Sequence, residues 1–486
     1  MDDATQTVLV PLSTIDQTGF GSCGLTLGYV LDSVNNATLE AAAKRVVDKW
    51  RLLSGRLEWE PIVGTWAIRV PINGEVSSRV KFTVSKLDTP LDSSILPVDK
   101  TSTEILVRPS LKFFRHSSTP HTLRSYSSSN TPLVAIHITE LTNCTCVGIS
   151  VPHGVFDASG LGQIVHALHA ELHAMPWSPP PFYEKNIVRE TLNKLFKDAL
   201  DSTEPPTALA GFRREFVVMG VSSLIYLGAS MAYEHLWHKV ETKAVYLGEK
   251  VVEKMVKKVK DELKQSGKGW ISTGDILAAW VLKGVKRPAL TLFDHVQTAY
   301  IAETDGNTVC ATSAISIRNT LCSIDPAFKD YPRMLFFIQV DTYQPFSSYR
   351  TDNCMMVCSC PPLSKEQIAS SSLAELALVH RQTVDAVRNI RFIEEYHRRV
   401  GTVDRDVIRR RGRDSWMFTN QVVGQLDAID FGSGSQTLAL WIWSVPFFPD
   451  HTVVLNKFKG GYMIQAGIRG SRWQAIADEI EKIKHR

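Results

Sequence analysis

The fold and the chemistry of this chain are decided by one stretch, Cys146-Val147-Gly148-Ile149-Ser150-Val151-Pro152-His153-Gly154-Val155-Phe156-Asp157. Its apolar, β-branched first half predicts a strand, which Pro152 ends. His153 therefore lies where a strand gives way to a loop, a place from which an imidazole can face a cavity. The ordinary histidine pKa of about 6.5 suits proton abstraction at neutral pH. The H-x-x-x-D pattern alone is short and common, so its meaning depends on the rest of the chain.

Helix and strand patterns alternate on both sides of this stretch. Apolar side chains recur at helical spacing in residues 39–53, 161–172 and 249–263. A helix is also predicted after Thr273, and a short one closes the chain at 472–483. Further strands are predicted at 65–70, 80–84, 133–138, 244–247, 438–443, 451–455 and 462–468.

This mixture occurs twice, and a polar, proline-containing stretch from Pro176 to Pro206 separates the two occurrences. We therefore predict an α/β (α+β) protein with two domains of similar size. The first spans residues 1–200 and the second spans 241–486, with a connector at 201–240 that contains an apolar helix.

Composition excludes several classes of function. The chain has 54 Lys+Arg against 50 Asp+Glu, a balance that argues against nucleic acid as the main partner. Its polar, acidic start lacks the pattern of a secretory signal, and eight cysteines are few for 486 residues, so we expect a reduced, cytoplasmic protein. We expect no metal site. Cys354, Cys358 and Cys360 lack a second pair at zinc spacing, and we expect the histidines that share one helical face to be solvent-facing: His166, His169 and His173.

The segment Phe216–Tyr233 contains no charged residue over eighteen positions (233 − 216 + 1). That length is at the lower limit for a membrane span. A true span would put His153 and the C-terminal half on opposite sides of a membrane. We therefore favour a buried helix, and a surface anchor with peripheral membrane contact stays open as the second interpretation.

Two further motifs are weak when each is taken alone. Asp430-Phe431-Gly432-Ser433-Gly434 is a glycine-punctuated turn, in which glycine permits φ > 0 and close approach to a ligand. Ser272-Thr273-Gly274-Asp275 precedes an apolar run, and Ser272 or Thr273 is predicted to cap the helix that follows.

These motifs occur in an order that resembles the BAHD acyltransferase superfamily, and more closely its fungal secondary-metabolite O-acetyltransferases. The resemblance runs nearly end to end. Five segments carry it besides the HxxxD motif: Leu12–Gln17 ("LSxxDQ"), Leu53–Arg56 ("AGRL"), Ser272–Asp275 ("STND"), Asp430–Gly434 ("DFGWG") and Gly460–Gly467 (the closing strand). The HxxxD and DFGxG motifs stand 277 residues apart (430 − 153). Ser433 departs from the motif, where the family has tryptophan.

The resemblance implies two chloramphenicol-acetyltransferase-like domains joined by a crossover, with the active-site channel between them. Acetyl-CoA or another acyl-CoA would be a co-substrate, and no cofactor would be bound permanently. His153 would take the proton from the acceptor as the acceptor attacks the thioester carbonyl. Thr419 and Gln421 stand where the family supplies a donor to the tetrahedral oxyanion.

Supporting roles are also implied by the resemblance. Asp157 would pair with Arg318 and hold the backbone of the site. Asp430, together with Gly432 and Gly434, would shape the channel. Ser272 and Thr273 would contact CoA.

The sequence thus predicts a monomeric acyl-CoA-dependent acyltransferase that O-acetylates a hydroxyl on a fungal terpenoid, polyketide or alkaloid. A CoA-independent cyclase or isomerase on the same fold stays open, because Ser433 departs from the donor-side motif. A non-catalytic binding protein is disfavoured, because nothing structural requires a histidine at the position of His153. Release of free thiol from acyl-CoA would separate the first two.

Overall fold

The computed structural model describes residues 6–12, 17, 22–62, 64–72, 80–99, 101–180, 190, 194, 216–218, 236–237, 240–285, 308–316, 355–361, 363–390, 392–393, 408–410, 414–432, 434–445 and 452–484. The strands are β1 (Thr7–Pro11), β2 (Gly24–Leu31), β3 (Arg56–Glu60), β4 (Thr65–Pro71), β5 (Lys81–Lys86), β6 (Thr103–Val107), β7 (Ala135–Glu140), β8 (Thr145–Pro152), β9 (Phe216–Val218), β10 (Val240–Leu247), β11 (Thr308–Ser316), β12 (Met355–Ser359), β13 (Leu363–Ser364), β14 (Ile408–Arg410), β15 (Asp414–Asn420), β16 (Thr437–Val445), β17 (Thr452–Phe458) and β18 (Gly461–Arg469). The α-helices are α1 (Asn36–Lys49), α2 (Leu123–Ser128), α3 (Ala158–Leu172), α4 (Glu249–Ser266), α5 (Thr273–Val285), α6 (Lys365–Ser370), α7 (Leu373–Val387) and α8 (Gly470–Lys484).

One sheet carries the HxxxD strand. Its order is β16-β2-β8-β7-β5, and β2 and β8 are buried along their whole length. Such strands contain almost only apolar or small residues, because both faces are covered. Helices α1 and α3 pack against each other, and their apolar residues share one core with those of β2 and β8. A small sheet of order β1-β4-β3 adds to the same core.

The larger sheet has the order β12-β11-β15-β17-β18-β10-β6, with β13 paired beside β11. Its two faces differ in what they pack against. Val453 and Leu455 of β17 belong to a second core with helices α4, α5, α7 and α8. Val454 packs instead against the first core, which also contains Met463 and Tyr246. One face of this sheet therefore points towards the sheet that carries HxxxD, since side chains alternate along a strand.

The two large sheets exchange strands across the predicted domain boundaries. β16 belongs to the sequence range 241–486, yet it pairs with β2 in the first sheet. β6 belongs to the range 1–200, yet it pairs with β10 in the second sheet. The boundaries read from the sequence therefore follow the chain and not the sheets, because strand pairing over long separations leaves no local signal.

Within the predicted connector at 201–240, the structure shows a strand at a place where an apolar helix was expected. Phe216–Val218 forms β9, which pairs antiparallel with β14. An uncharged apolar run is compatible with a buried strand as well as with a buried helix. Here the pairing with β14 makes these residues a strand. Residues 219–235 of the predicted segment lie outside the described residues. Within the described part of the chain, none of the helices combines the length and the apolarity that crossing a bilayer demands.

Most of the other predicted elements are confirmed. The predicted helices at 39–53, 161–172, 249–263 and 472–483 correspond to α1, α3, α4 and α8. α1 begins where Asn35 accepts a hydrogen bond from the Thr38 N–H at 2.9 Å. It ends before a 3-10 turn that finishes at Ser54, just before Gly55. Strong periodicity explains this agreement.

Candidate active site

His153 is held immediately after β8 by two backbone contacts. Its N–H donates to the Cys23 carbonyl at 2.9 Å, and its ring Nδ1 lies 3.0 Å from the Phe156 carbonyl oxygen. A carbonyl only accepts, so Nδ1 carries a proton and donates. In the neutral ring Nε2 then holds the lone pair, which makes it the atom that can accept a proton.

Burial sets the charge of this imidazole. His153 is 8% exposed. Burial lowers its pKa below the ordinary value, while the backbone hydrogen bonds at His153 and Phe156 and the charge of Asp157 oppose that effect. The ring is therefore neutral at neutral pH and available as a base.

Asp157 caps the helix that follows. Its Oδ1 accepts the Gly160 N–H at 2.9 Å, so it is the N-cap of α3. Its side chain is buried, and it forms further interactions within the chain. The carboxylate fixes the turn between His153 and the helix. Arg318, its predicted partner, lies outside the described residues, so the pairing stays a prediction.

Helix α3 brings HxxxD against the segment that contains Gln421. Two glycines make this possible: a Cβ on Gly162 would lie 2.2 Å from the Gly424 carbonyl oxygen, and a Cβ on Gly424 would lie 2.5 Å from the Ala158 carbonyl oxygen. Helix backbone and turn backbone therefore touch directly. His166 adds a hydrogen bond to the Gly424 backbone.

Thr419 and Gln421 stand at the end of β15. Thr419 is half-buried and opposite Val454 of β17. The Gln421 N–H donates to the Leu455 carbonyl at 2.9 Å and so prolongs the pairing with β17 by one residue. Gln421 is 5% exposed, and its Oε1 is buried without a hydrogen-bond partner among the residues that the structure describes. An unsatisfied buried polar atom of this kind costs about 1–3 kcal/mol, which points to a functional reason for the carboxamide.

Ser272 and Thr273 begin helix α5 beside the same segment. Ser272 Oγ donates to Asp275 Oδ2 at 2.7 Å, and the Asp275 N–H donates back to Ser272 Oγ at 3.3 Å, so the predicted cap is present. A Cβ on Gly274 would lie 2.5 Å from Asn420 Nδ2, which shows how tightly this corner packs on β15. The predicted CoA-contacting pair therefore adjoins the predicted oxyanion segment.

Asp275 is the anchor of this corner. It is buried and lies 2.7 Å from His380 Nδ1 and 3.6 Å from Arg381 Nη1. Burial alone would raise the pKa of Asp275, but the contacts with His380 and Ser272 outweigh it and hold that pKa below the ordinary value. No local pattern predicts this network, because His380 stands 105 residues further along the chain.

The DFGxG segment lies at the other end of α3. The Gly432 N–H donates to Asp430 Oδ1 at 2.8 Å, and Gly432 and Gly434 both have φ of +79°. The backbone of Asp430 is bound by α3: its N–H donates to His169 Nδ1 at 3.1 Å, and His173 Nε2–H donates to its carbonyl at 3.1 Å. His169 is about 16 Å along the helix from Ala158, so this turn fastens the far end of the helix. Ser433 lies outside the described residues.

The prediction of solvent-facing histidines is wrong for His169, whereas His166 is half-buried and His173 is exposed as predicted. His169 is buried, and burial together with the neighbouring His173 lowers its pKa. Burial lowers the pKa of His166 to about 4. Both rings are used in contacts between α3 and the 421–431 segment, which sequence spacing alone could not reveal. Over the part of the chain that the structure describes, no group of three or more His, Cys, Asp or Glu side chains is arranged to hold a metal ion.

Solved structures share this fold. The chain covers 98% of F. graminearum TRI101 complexed with coenzyme A and T-2 mycotoxin, with 98% of its own length aligned, a TM-score of 0.62 and 15% identity. It is also similar to vinorine synthase, with a TM-score of 0.56 at 12% identity over 98% of this chain and 93% of that one. The predicted chloramphenicol-acetyltransferase-like, BAHD-type fold is confirmed.

Sequence comparison gives a more particular likeness. The chain is 25% identical over 379 residues to acetyltransferase pyiB of Pyricularia grisea, an alignment that covers 73% of this chain and 64% of pyiB. It spans between 40% and 64% of the lengths of the curated relatives that it matches. No family model matches the chain. The recognised resemblance to fungal acetyltransferases is therefore confirmed.

Proposed function

We propose that this protein transfers an acetyl group from acetyl-CoA to a hydroxyl of a fungal secondary metabolite, with His153 as the general base. The observation that carries the proposal is the protonation state of the His153 imidazole. Nδ1 is committed to the Phe156 carbonyl, and burial keeps the imidazole neutral, so Nε2 is basic.

In the proposed reaction, the acceptor hydroxyl gives its proton to His153 Nε2 while its oxygen attacks the thioester carbonyl carbon. The carbonyl oxygen becomes an oxyanion, which Thr419 Oγ1 or the Gln421 amide stabilises by donating a hydrogen bond. The tetrahedral intermediate then collapses, and the carbon–sulfur bond breaks. The CoA thiolate takes the proton from the imidazolium, which yields the acetyl ester, free CoA and a neutral histidine.

The relatives support this chemistry and this class of substrate. The curated relative pyiB is named an acetyltransferase, and TRI101 was solved with coenzyme A and T-2 mycotoxin. Ser272 and Thr273, which adjoin β15 through Gly274 and Asn420, fit the predicted CoA contact. The proposal includes action as a monomer, since one chain supplies both sheets and both sides of the site.

Thiol release tests the proposal directly. Purified protein is mixed with acetyl-CoA and a panel of fungal terpenoid, polyketide and alkaloid alcohols, and free thiol and acetylated product are both measured. We expect acceptor-dependent release in the wild type and a loss of at least about 10²-fold in kcat for His153→Ala, which is the lower range for removing a general base. His116→Ala is the matched control, because His116 contacts Ser118 Oγ on a loop outside the site.

Retention of near-wild-type turnover by His153→Ala would contradict the general-base assignment. Absence of both thiol release and calorimetric CoA binding in the wild type would contradict CoA chemistry as a whole. The CoA-independent cyclase or isomerase would then be the function to test, by following each metabolite without CoA.

A further inference from the structure

A second buried carboxamide, that of Asn456, lies on the strand next to β15. Asn456 belongs to β17 and is 1% exposed, and neither Oδ1 nor Nδ2 has a hydrogen-bond partner within the described part of the chain. An amide that leaves all its hydrogen bonds unmade costs several times the penalty of a single unsatisfied group. A small apolar side chain at this position would avoid this cost, so the amide calls for a functional explanation.

The strand register places Gln421 and Asn456 at matching positions of neighbouring strands. β15 and β17 are parallel, with Thr419 opposite Val454 and Asn420 opposite Leu455, so Gln421 comes opposite Asn456. Neighbouring strands are about 4.8 Å apart, and residues at matching positions project on the same face. The hydrogen bond from the Gln421 N–H to the Leu455 carbonyl shows that the register continues to this position.

The face that they share is the one towards the HxxxD sheet. Asn456 stands opposite Met463 of β18, and Met463 belongs to the core of the first sheet. Three residues after Gln421, Gly424 packs against helix α3, the helix that follows His153 in the chain. Asn456 therefore lies on the face of the larger sheet that points towards the HxxxD sheet.

The unmet hydrogen-bonding capacities are complementary. Over the described ranges of the chain, Gln421 Oε1 is an acceptor without a donor, and Asn456 Nδ2 is a donor without an acceptor. We propose that Asn456 is the positioning residue for Gln421: when substrates are bound, Asn456 Nδ2 donates to Gln421 Oε1. The Gln421 amide group is thereby turned so that its NH₂ end faces the thioester carbonyl oxygen. This inference rests on the proposed acyl transfer, and it assigns Asn456 no contact with the substrate.

A catalytic positioning role and a purely structural role predict different results. Asn456→Leu removes the donor and keeps the branched arrangement of the side-chain heavy atoms. A positioning role predicts that kcat falls by about 10²-fold, as a misplacement of about 1 Å does, with KM for acetyl-CoA unchanged. The melting temperature should fall less than in the Gln465→Leu control below, because Asn456→Leu breaks no hydrogen bond and has only the bulk of two methyl groups to accommodate.

A buried amide with partners is the matched control for stability. Gln465 stands on the same face of the same sheet, and after exchange of its amide O and N it donates to the Ile442 carbonyl at 3.1 Å and accepts the Ile442 N–H at 3.2 Å. Gln465→Leu should lower the melting temperature, since it removes the acceptor of the Ile442 N–H, while the Ile442 carbonyl keeps Arg108 Nη2 as a donor at 2.9 Å. Comparing the melting temperatures of Asn456→Leu and Gln465→Leu shows whether the amide of Asn456 is unpaired.

A double-mutant cycle of kcat decides whether Asn456 acts through Gln421. Gln421→Ala, Asn456→Leu and the double variant are compared with an active wild type, and we expect the double variant to match Gln421→Ala alone. An unchanged kcat in Asn456→Leu, or losses that multiply in the double variant, would overturn the inference while leaving the acyltransferase intact. A wild type without thiol release would instead overturn the proposed function, and this inference would fall with it.

Discussion

The contact between Gly162 and Gly424 gives the most direct test of how the site is assembled. In an exposed helix interior, glycine to alanine stabilises by about 1 kcal/mol, because alanine loses less conformational entropy. Gly162→Ala should do the opposite. Its Cβ would meet the Gly424 carbonyl oxygen at 2.2 Å and two further backbone atoms at 2.9 Å, and backbone cannot swing aside as a side chain can. The helix and the turn must separate by about 1 Å to restore normal contact distances.

The expected cost is set by that separation. Overpacking of this kind costs about 1–3 kcal/mol, which exceeds the helix-propensity gain. The same displacement moves α3 relative to Gln421, so kcat should fall by about 10²-fold. Gly284→Ala in α5 is the control, since the nearest atom to its Cβ would be Ile476 Cγ1 at 3.8 Å, and this variant should be as stable as the wild type or more so. Thermal unfolding and thiol release are measured on both variants. A Gly162→Ala protein that matches Gly284→Ala in both assays would refute the reasoning.

Three further predictions concern pH and donor binding. Because burial lowers the pKa of His153, the acid limb of kcat/KM should have its midpoint below about pH 6.5, and a midpoint above that value would contradict the buried neutral base. Burial lowers the pKa of His137 to about 4. The neutral His137 ring therefore contributes its full stability above about pH 6.5, and this contribution is lost as pH falls towards 4. From this group alone, the free energy of unfolding should be about 2 kcal/mol lower at pH 5 than at pH 7. Urea unfolding at pH 7 and pH 5 measures this, and a His137→Asn variant with an equal loss would exclude His137 as the cause. Ser272→Ala should cost about 1 kcal/mol through the lost cap and raise KM for acetyl-CoA, and an unchanged KM would argue against a role in donor binding.

Local periodicity explains why so much of the fold could be predicted. Helix α3 and strand β8 carry their patterns within fifteen and eight residues, so apolar spacing identifies them without any tertiary information. The position of His153 after a strand follows from Pro152 in the same way. The motif order then predicted a fold that the solved structures confirm.

The unpredicted features all depend on partners far away in sequence. Nothing in the segment 437–445 shows that it pairs with β2, since any buried strand would have the same apolar residues. The histidine at 169 gives no sign that it accepts the Asp430 N–H, 261 residues away. Asn456 looks like a solvent-facing position of a strand until the register puts it beside Gln421. Long-range pairing, and not local conformation, therefore limited the prediction of the site.

The pairing of β16, a strand near the C-terminal end of the chain, with β2 has a consequence for how the protein is synthesised. β2 leaves the ribosome early, but its hydrogen-bonding partner on one side follows only after a further 406 residues (437 − 31). At about 5–20 residues per second, that edge stays open for about 20 to 80 s in each nascent chain. An apolar strand with an open edge can pair with another chain during this time. Expression yield should therefore depend on chaperone supply and translation rate more than on the stability of the finished fold. A gene truncated before residue 437 should give aggregated protein, even though it encodes HxxxD intact.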